Sequence, residues 1–292
     1  MSATTLTQLP RTSRRRRLTD QVMRGMLFFL TGVALVPLVL VIYYLFHKGL
    51  PAYSGRFFTT DPNGSFFGYP GGIRSAILGT IEIVAIATLI SVPIGIGVAL
   101  YLTEYGKASK LAGVIRYFID VMTGVPSIVF GLFIYIVLVL SQVGGASFTA
   151  WKASVALALL MLPVVTKAAE VVLLLVPGHL REAALALGSP RWRVVTRVVL
   201  PTAAPGLVTG SLLAVARGAG ETAPLLFTVS TATILTFNVN DQMNALPLQI
   251  FTDITSPRNE IVTRAWGAAL TLVLMILILN IISRLASGRS RL

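Results

Sequence analysis

REAALALGSPRWRVVTRVVLP, residues 181–201, is a polar, basic island between two long apolar runs. Glu182 to Leu187 form a run of strong helix formers. Gly188 then suits a helix C-terminus, Ser189 an N-cap and Pro190 the first position of a new helix. The stretch predicts two short helices joined by a sharp corner and lying against a membrane face, with Arg191, Arg193 and Arg197 keeping it on the cytoplasmic side. Such an elbow has little to do in lipid and suits the docking of a soluble partner. An ordinary amphipathic loop between helices has the same composition.

Working outward, the chain is 292 residues long, 55% hydrophobic and 12% charged. A soluble domain of this size carries about twice that charge fraction, so the chain is read as all-α and polytopic in a membrane. The net charge of +13 raises the question of nucleic acid. The basic residues, however, lie mainly in short loops between apolar runs, a pattern of membrane topology, and no nucleic-acid partner is expected. No cysteine is present, which excludes a disulfide framework, a thiol nucleophile and a thiolate metal site, and His47 and His179 are too few for a histidine cluster. No metal site is expected.

Residues 1–24 form a basic tail with Arg11, Arg14, Arg15, Arg16, Arg17 and Arg24. The apolar run that follows, 25–46, is longer than a cleaved signal core and reads as a first span. The tail reads as a topology anchor, with anionic lipid as a lesser option. Residues 47–72 are rich in Gly, Pro and aromatics, including Tyr53, Phe57, Phe58, Phe66, Phe67 and Tyr69, and read as an outer loop at the interface. The core, 73–282, holds five more spans: 73–103, with Pro93, Gly95 and Gly97 expected to bend or loosen it; 115–140, interrupted around Pro126; 153–176, with Pro163 inside; 201–227; and 265–282. The elbow, taken as 177–200, separates the fourth from the fifth, and 283–292 is a short tail with Arg284, Arg289 and Arg291. With the N-terminus inside and six crossings, 16 Lys and Arg fall on the inner side, 5 on the outer side, and Arg74, Lys167 and Arg217 lie within or at the edge of spans. That bias supports six helices with both termini cytoplasmic.

A charge in hydrocarbon costs at least a few kcal/mol, so each intramembrane charge needs a reason. Arg217 and Glu221 are four apart, on one helical face, and can pair. Gly218 and Gly220 thin that helix so that another backbone or a ligand can approach, and Pro224 frees the carbonyl of Gly220. Lys167, with Glu170 three residues on, occupies a shared face of the fourth span. Two cations beside a central path suit an oxyanion, the arginine as a fork and the lysine as a point charge. A static ion-pair network that locks helices together is the competing reading. Glu82 reads as a packing or vestibule residue, Asp120 as a carboxylate at a helix N-terminus, and His179 as a turn residue. The patch Ala245 to Phe251 reads either as a partly inserted outer helix that meets a binding protein or as an interfacial cap.

Glu182-Ala183-Ala184, Gly188 six positions after the Glu, and Val198-x-Leu200-Pro201 resemble the EAA loop of ABC-importer permeases, departing only in Val198 where Ile is usual. The resemblance implies the type I ABC importer permease (MetI-like) fold, in which this loop docks on an ATPase through Glu182, Ala183, Ala184, Gly188, Pro190 and Arg191. Residues 216–228, ARGAGETAPLLFT, resemble the signature of phosphate-specific ABC permeases, with the A-type subunit closer than the C-type. Gly124 to Leu132, Leu162-Pro163 before Lys167, and Leu246-Pro247-Leu248-Gln249-Ile250 match as well, over roughly 71–282. The family implies that Arg217, Glu221 and position 167, where it more often has Arg, line a phosphate path. Pro126, Pro163, Gly218, Gly220 and Pro224 would flex or pack the helices. It also implies four kinds of partner: a homologous C-type permease, two copies of an ATPase, an extracytoplasmic phosphate-binding protein, and lipid of a prokaryotic inner membrane. No G-x-x-x-x-G-K-[ST] loop occurs, so ATP is expected on the partner and no cofactor or catalytic residue on this chain. A permease for sulfate, molybdate or another oxyanion is the alternative within the class. A self-powered secondary phosphate transporter is the alternative outside it.

Overall fold

The computed structural model describes residues 14–63, 68–106 and 109–288. Expectations on Arg11, Phe66, Phe67, Lys107, Arg289 and Arg291 lie outside the described residues, as does the side chain of Arg284. The described chain divides into two compact units, one ending at His47 and one beginning at Lys48. The first unit carries α1, Arg14–Gly49, which continues through Pro37 and exposes apolar side chains on every side, Phe28, Leu35 and Val39 among them. All-round hydrophobicity of that kind marks a helix meant for lipid or another helix.

In the second unit the elements are α2 (Gly55–Thr59), α3 (Arg74–Leu100, extended by a wide turn to Tyr105), α4 (Lys110–Gly124), α5 (Ser127–Ile134, extended to Leu140), α6 (Ala150–Leu174), α7 (Gly178–Ala186), α8 (Arg191–Val194), α9 (Leu200–Ala219), α10 (Ala223–Thr228), α11 (Leu246–Ile254) and α12 (Asn259–Gly288). A wide turn, Val195–Val199, joins α8 to α9 in one run of 29 residues. Among the described residues, five helical runs are long and apolar enough to cross a membrane, and α4 with α5, bent by 104°, bring the number to six when the pair counts as one span. The bend falls where Val125 and Pro126 are extended, at ψ 130° and 139°. Proline pushes its predecessor out of the helical region and supplies no N–H. At Pro93 and Pro163, in contrast, α3 and α6 run on as single helices: a lone proline with regular neighbours loosens a turn without ending the helix.

Helix α6 is the axis of this unit, with α3 along one flank and α9 along another. Close approach of α9 to α6 rests on small residues four apart. A Cβ at Gly206 would lie 2.6 Å from Val172 Cγ1, at Gly210 2.8 Å from Ala168 Cβ, and at Gly218 2.7 Å from Met161 Sδ. In lipid, where apolar burial gives no net drive, such close contact holds helices together. Ile83 and Ala87 on α3, Leu157 and Met161 on α6, and Val215 on α9 form one core cluster. Ala99, Leu173, Val176, Val194, Val199 and Leu207 form a second at the elbow end. At the opposite end, Phe57, Ile73, Ala76, Leu246, Ala268 and Leu272 form a third, with Tyr53 and Phe58 edge-on to one another.

Candidate functional site

The elbow is made as its sequence suggests, with one shift. Gly188 has φ +77°, a conformation open to glycine at little cost. Its N–H donates to Leu185 O at 2.9 Å and that of Ser189 to Ala184 O at 3.2 Å, the paired closure of a Schellman motif. The N-cap of α8 is Pro190 rather than Ser189, because Pro190 O accepts from Arg193 and Val194. The cap therefore sits one residue later than expected and α8 starts at Arg191. Glu182, Ala183, Pro190 and Arg191 are exposed, and Ala184 turns toward the core. Leu185 is also exposed, and Leu187 is 87% exposed, a large apolar surface for a helix corner.

One side chain fixes the elbow to the bundle. Arg181 donates to Glu104 Oε1 from Nε at 3.1 Å and from Nη2 at 2.8 Å, to Val176 O at 2.6 Å and to Leu173 O at 2.8 Å. Carbonyls at and just past a helix C-terminus lack intrahelical donors; the guanidinium supplies one to Leu173 O in the last turn of α6 and one to Val176 O just beyond it, while its charge complements the helix dipole. Sequence reasoning missed Glu104, which lies 77 positions away, at the end of an apolar run.

In its C-terminal half α6 carries two ion pairs, both with α4. Arg116 Nε donates to Glu170 Oε1 at 2.8 Å and its Nη2 to Leu102 O at 3.2 Å. Lys167 pairs with Asp120. Lys167 and Glu170, expected on a shared face of this span, each find an opposite charge on the neighbouring helix. The placing of Asp120 is corrected: it lies in the second half of α4 rather than at its N-terminus. The apolar run chosen from hydropathy began at Ile115, but Ser109 caps the helix, accepting from Leu111 N–H, and so starts it earlier.

Arg217 and Glu221 span a second helix break. Helix α9 ends at Ala219, Gly220 N–H and Glu221 N–H close onto Arg217 O and Gly218 O, and α10 starts at Ala223 with Pro224 in its first turn. Arg217 Nε is 3.6 Å from Glu221 Oε1, with the two side chains 60% and 19% exposed. A recess lined by Thr123, Val125, Ser127, Pro163, Val164 and Arg217 brings the α4–α5 break, the proline of α6 and the arginine of α9 together. Across it, α5 packs on α10 so closely that a Cβ at Gly131 would lie 2.7 Å from Pro224 Cα. Gly218 likewise serves packing. Gly220 does not: a Cβ there would meet nothing nearer than 3.7 Å.

At the far end, the patch Ala245 to Phe251 is largely buried: it starts α11, and Leu246 N–H donates to Thr80 Oγ1 at 2.7 Å. Asp253 on α11 takes both arms of Arg264 on α12, at 2.7 and 2.8 Å, each side chain 6% exposed. Gln249 donates to the same carboxylate at 2.7 Å, and Arg264 also reaches Pro70 O. This is a saturated, dry network of the structural kind.

The chain matches the model of the family described as binding-protein-dependent transport system inner membrane component over residues 91–291. It is 40% identical over 270 residues to the phosphate transport system permease protein PstA of Pasteurella multocida, covering 92% of this chain and 95% of that one. To the protein of the same name from Haemophilus influenzae it is 39% identical over 273 residues, covering 92% and 94%. Among solved structures it resembles a chain of a bacterial alginate ABC transporter (TM-score 0.68, 14% identity, 94% and 96% covered). It also resembles a chain of the MetNI methionine ABC transporter in inward-facing conformations (TM-score 0.57, 19% identity, 76% and 95% covered). The two structures speak for the fold, and the sequence relatives narrow it: the chain belongs to the binding-protein-dependent inner membrane components and, within them, to the phosphate transport system permease proteins of the PstA type.

Proposed function

We propose that this chain is a membrane-spanning permease subunit of an ATP-driven importer of inorganic phosphate and forms half of its pathway. The observation that carries the reading is the state of Arg217. It sits between two helix breaks with its carboxylate neighbour beyond hydrogen-bond length and most of its side chain exposed. Arg264, by contrast, is sealed and holds Asp253 with both arms. The likeness to permeases named for phosphate transport supports the choice of anion.

In this mechanism the pathway lies where the exposed faces of Arg217 and Lys167 meet those of a homologous C-type permease. Phosphate delivered by an extracytoplasmic binding protein passes Arg217, whose fork fits two oxygens, and then Lys167. Glu221 and Asp120 balance these cations when the path is empty, so that neither stands alone in a poorly solvated space. ATP is bound and hydrolysed by two ATPase subunits that grip the 182–191 corner. Arg181 passes the corner's movement to the ends of α3 and α6 through Glu104 and the α6 carbonyls. Both termini lie in the cytoplasm, as the distribution of Lys and Arg favours.

The test is uptake of labelled phosphate into vesicles that hold all four kinds of subunit, with sulfate and molybdate as competitors. ATP-dependent uptake that excess sulfate leaves intact is expected. Equal competition by sulfate would move the assignment to another oxyanion, and uptake that persists without the ATPase would favour a secondary carrier.

A further inference from the structure

Along the bundle from the elbow, α3 and α9 part and leave an apolar groove of about 600 Å³. Val92 and Ile96 on α3 form one wall, and Leu200, Val208 and Leu212 on α9 the other. The hydroxyl of Thr88 donates to Val84 O at 2.7 Å, so it does not turn a free donor to the groove. At the elbow end the α9 wall runs into arginines. Arg197 precedes Leu200 and Pro201 by three and four positions and therefore stands on the helix face that lines the groove. Its side chain is exposed and has no hydrogen bond or ion pair among the described residues. Arg193, one turn earlier, is exposed beside the indole of Trp192 at 5.3 Å, and Trp192 is itself 56% exposed.

We propose that this groove binds an anionic phospholipid of the cytoplasmic leaflet, an acyl chain lying between α3 and α9 and the headgroup phosphate held by Arg197 and Arg193. Three features choose this occupant. From Leu200 to Val215 the groove is roughly 22 Å long at 1.5 Å per residue, enough to take the ~15 Å of acyl chain in one leaflet. Its volume over that length leaves a section on the order of 30 Å², slender enough to suit extended acyl chains. The cations stand at the end where a headgroup would be, with an amphipathic indole beside them at the level such rings prefer. This site does not depend on the phosphate reading, since it uses none of the residues placed on the path.

The experiment is native mass spectrometry of the assembled transporter, exchanged from detergent into mixtures containing phosphatidylglycerol or phosphatidylcholine, for the unaltered complex and for R193Q/R197Q and V208W. Retention of phosphatidylglycerol is expected to fall about thirtyfold in R193Q/R197Q, at roughly a fivefold contribution from each arginine near a surface phosphate. Phosphatidylcholine should change little there. V208W, which fills the groove, should lower both lipids while the complex stays assembled, and added inorganic phosphate should displace neither. Phosphatidylglycerol retention unchanged in both variants would overturn the proposal. So would a photo-crosslinking side chain at position 208 that captures a helix of a partner subunit instead of lipid.

Discussion

Arg217 Nε stands 3.6 Å from Glu221 Oε1, a separation at which the charges attract but form no hydrogen bond. Arg264 and Asp253 show the other way to keep an ion pair in this protein: two parallel bonds of 2.7 and 2.8 Å in a site closed to solvent. Among the described residues the first pair leaves the guanidinium without a hydrogen bond, as the proposed path requires. The second has spent its donors on fixing α11 to α12. The two pairs differ in exposure and in bonding, and the consequences of mutation should differ accordingly.

Removing one member of the Asp253 and Arg264 pair leaves the other charged and buried. Arg264→Met alone is expected to destabilise the far end of the bundle by about 3–5 kcal/mol, read as a lowered unfolding midpoint of the purified complex. Replacing both, Asp253→Leu with Arg264→Met, should recover much of the loss. A double variant as unstable as the sum of the singles would show that the pair contributes more than mutual neutralisation.

Gly131 and Gly220 should respond in opposite ways to alanine. At Gly131 the added methyl would lie 2.7 Å from Pro224 Cα, a backbone atom that cannot swing aside. Gly131→Ala should cost about 1–3 kcal/mol by overpacking and unseat α10 from α5. Gly220 has φ −93° and a nearest neighbour at 3.7 Å, so Gly220→Ala should alter stability by less than about 0.5 kcal/mol. Thermal unfolding of the two variants side by side checks the contrast.

Gly188 has open space around the position of a Cβ, so its requirement is one of backbone conformation alone. Gly188→Val should cost about 1–2 kcal/mol for a left-handed residue, distort the corner and reduce co-purification with the ATPase. Gly188→Asn, which tolerates φ near +77°, should retain most of it. Equal recovery with valine and asparagine would argue that the corner is not held by this turn.

The fold was legible in the sequence where one physical rule acts alone. The elbow announced itself through Gly188 and the arginines, and the break at Pro126 through a proline with an extended residue before it. The α9 edge of the candidate path was visible in Arg217 and Glu221, because a charge in an apolar run stands out. Cross-helix partners were not legible. Glu104 with Arg181 and Arg116 with Glu170 join residues 77 and 54 apart, and nothing local distinguishes a carboxylate that will meet a distant guanidinium from one facing solvent. For Lys167 the face shared with Glu170 was visible from helical spacing, and the approach of α4 was not. The glycine stripe on α9 could have been found, since Gly206, Gly210, Ala214 and Gly218 recur every four residues.

The most direct measurement is phosphate uptake by the complete transporter carrying Arg217→Gln, taken together with its ATPase rate and subunit stoichiometry. Losing a charge-assisted fork worth about 1.5–3 kcal/mol should lower uptake at least about tenfold, with all subunits still assembled and ATP still hydrolysed. Undiminished uptake would contradict the account. Loss of uptake only because the complex falls apart would do the same, by making Arg217 a strut after all.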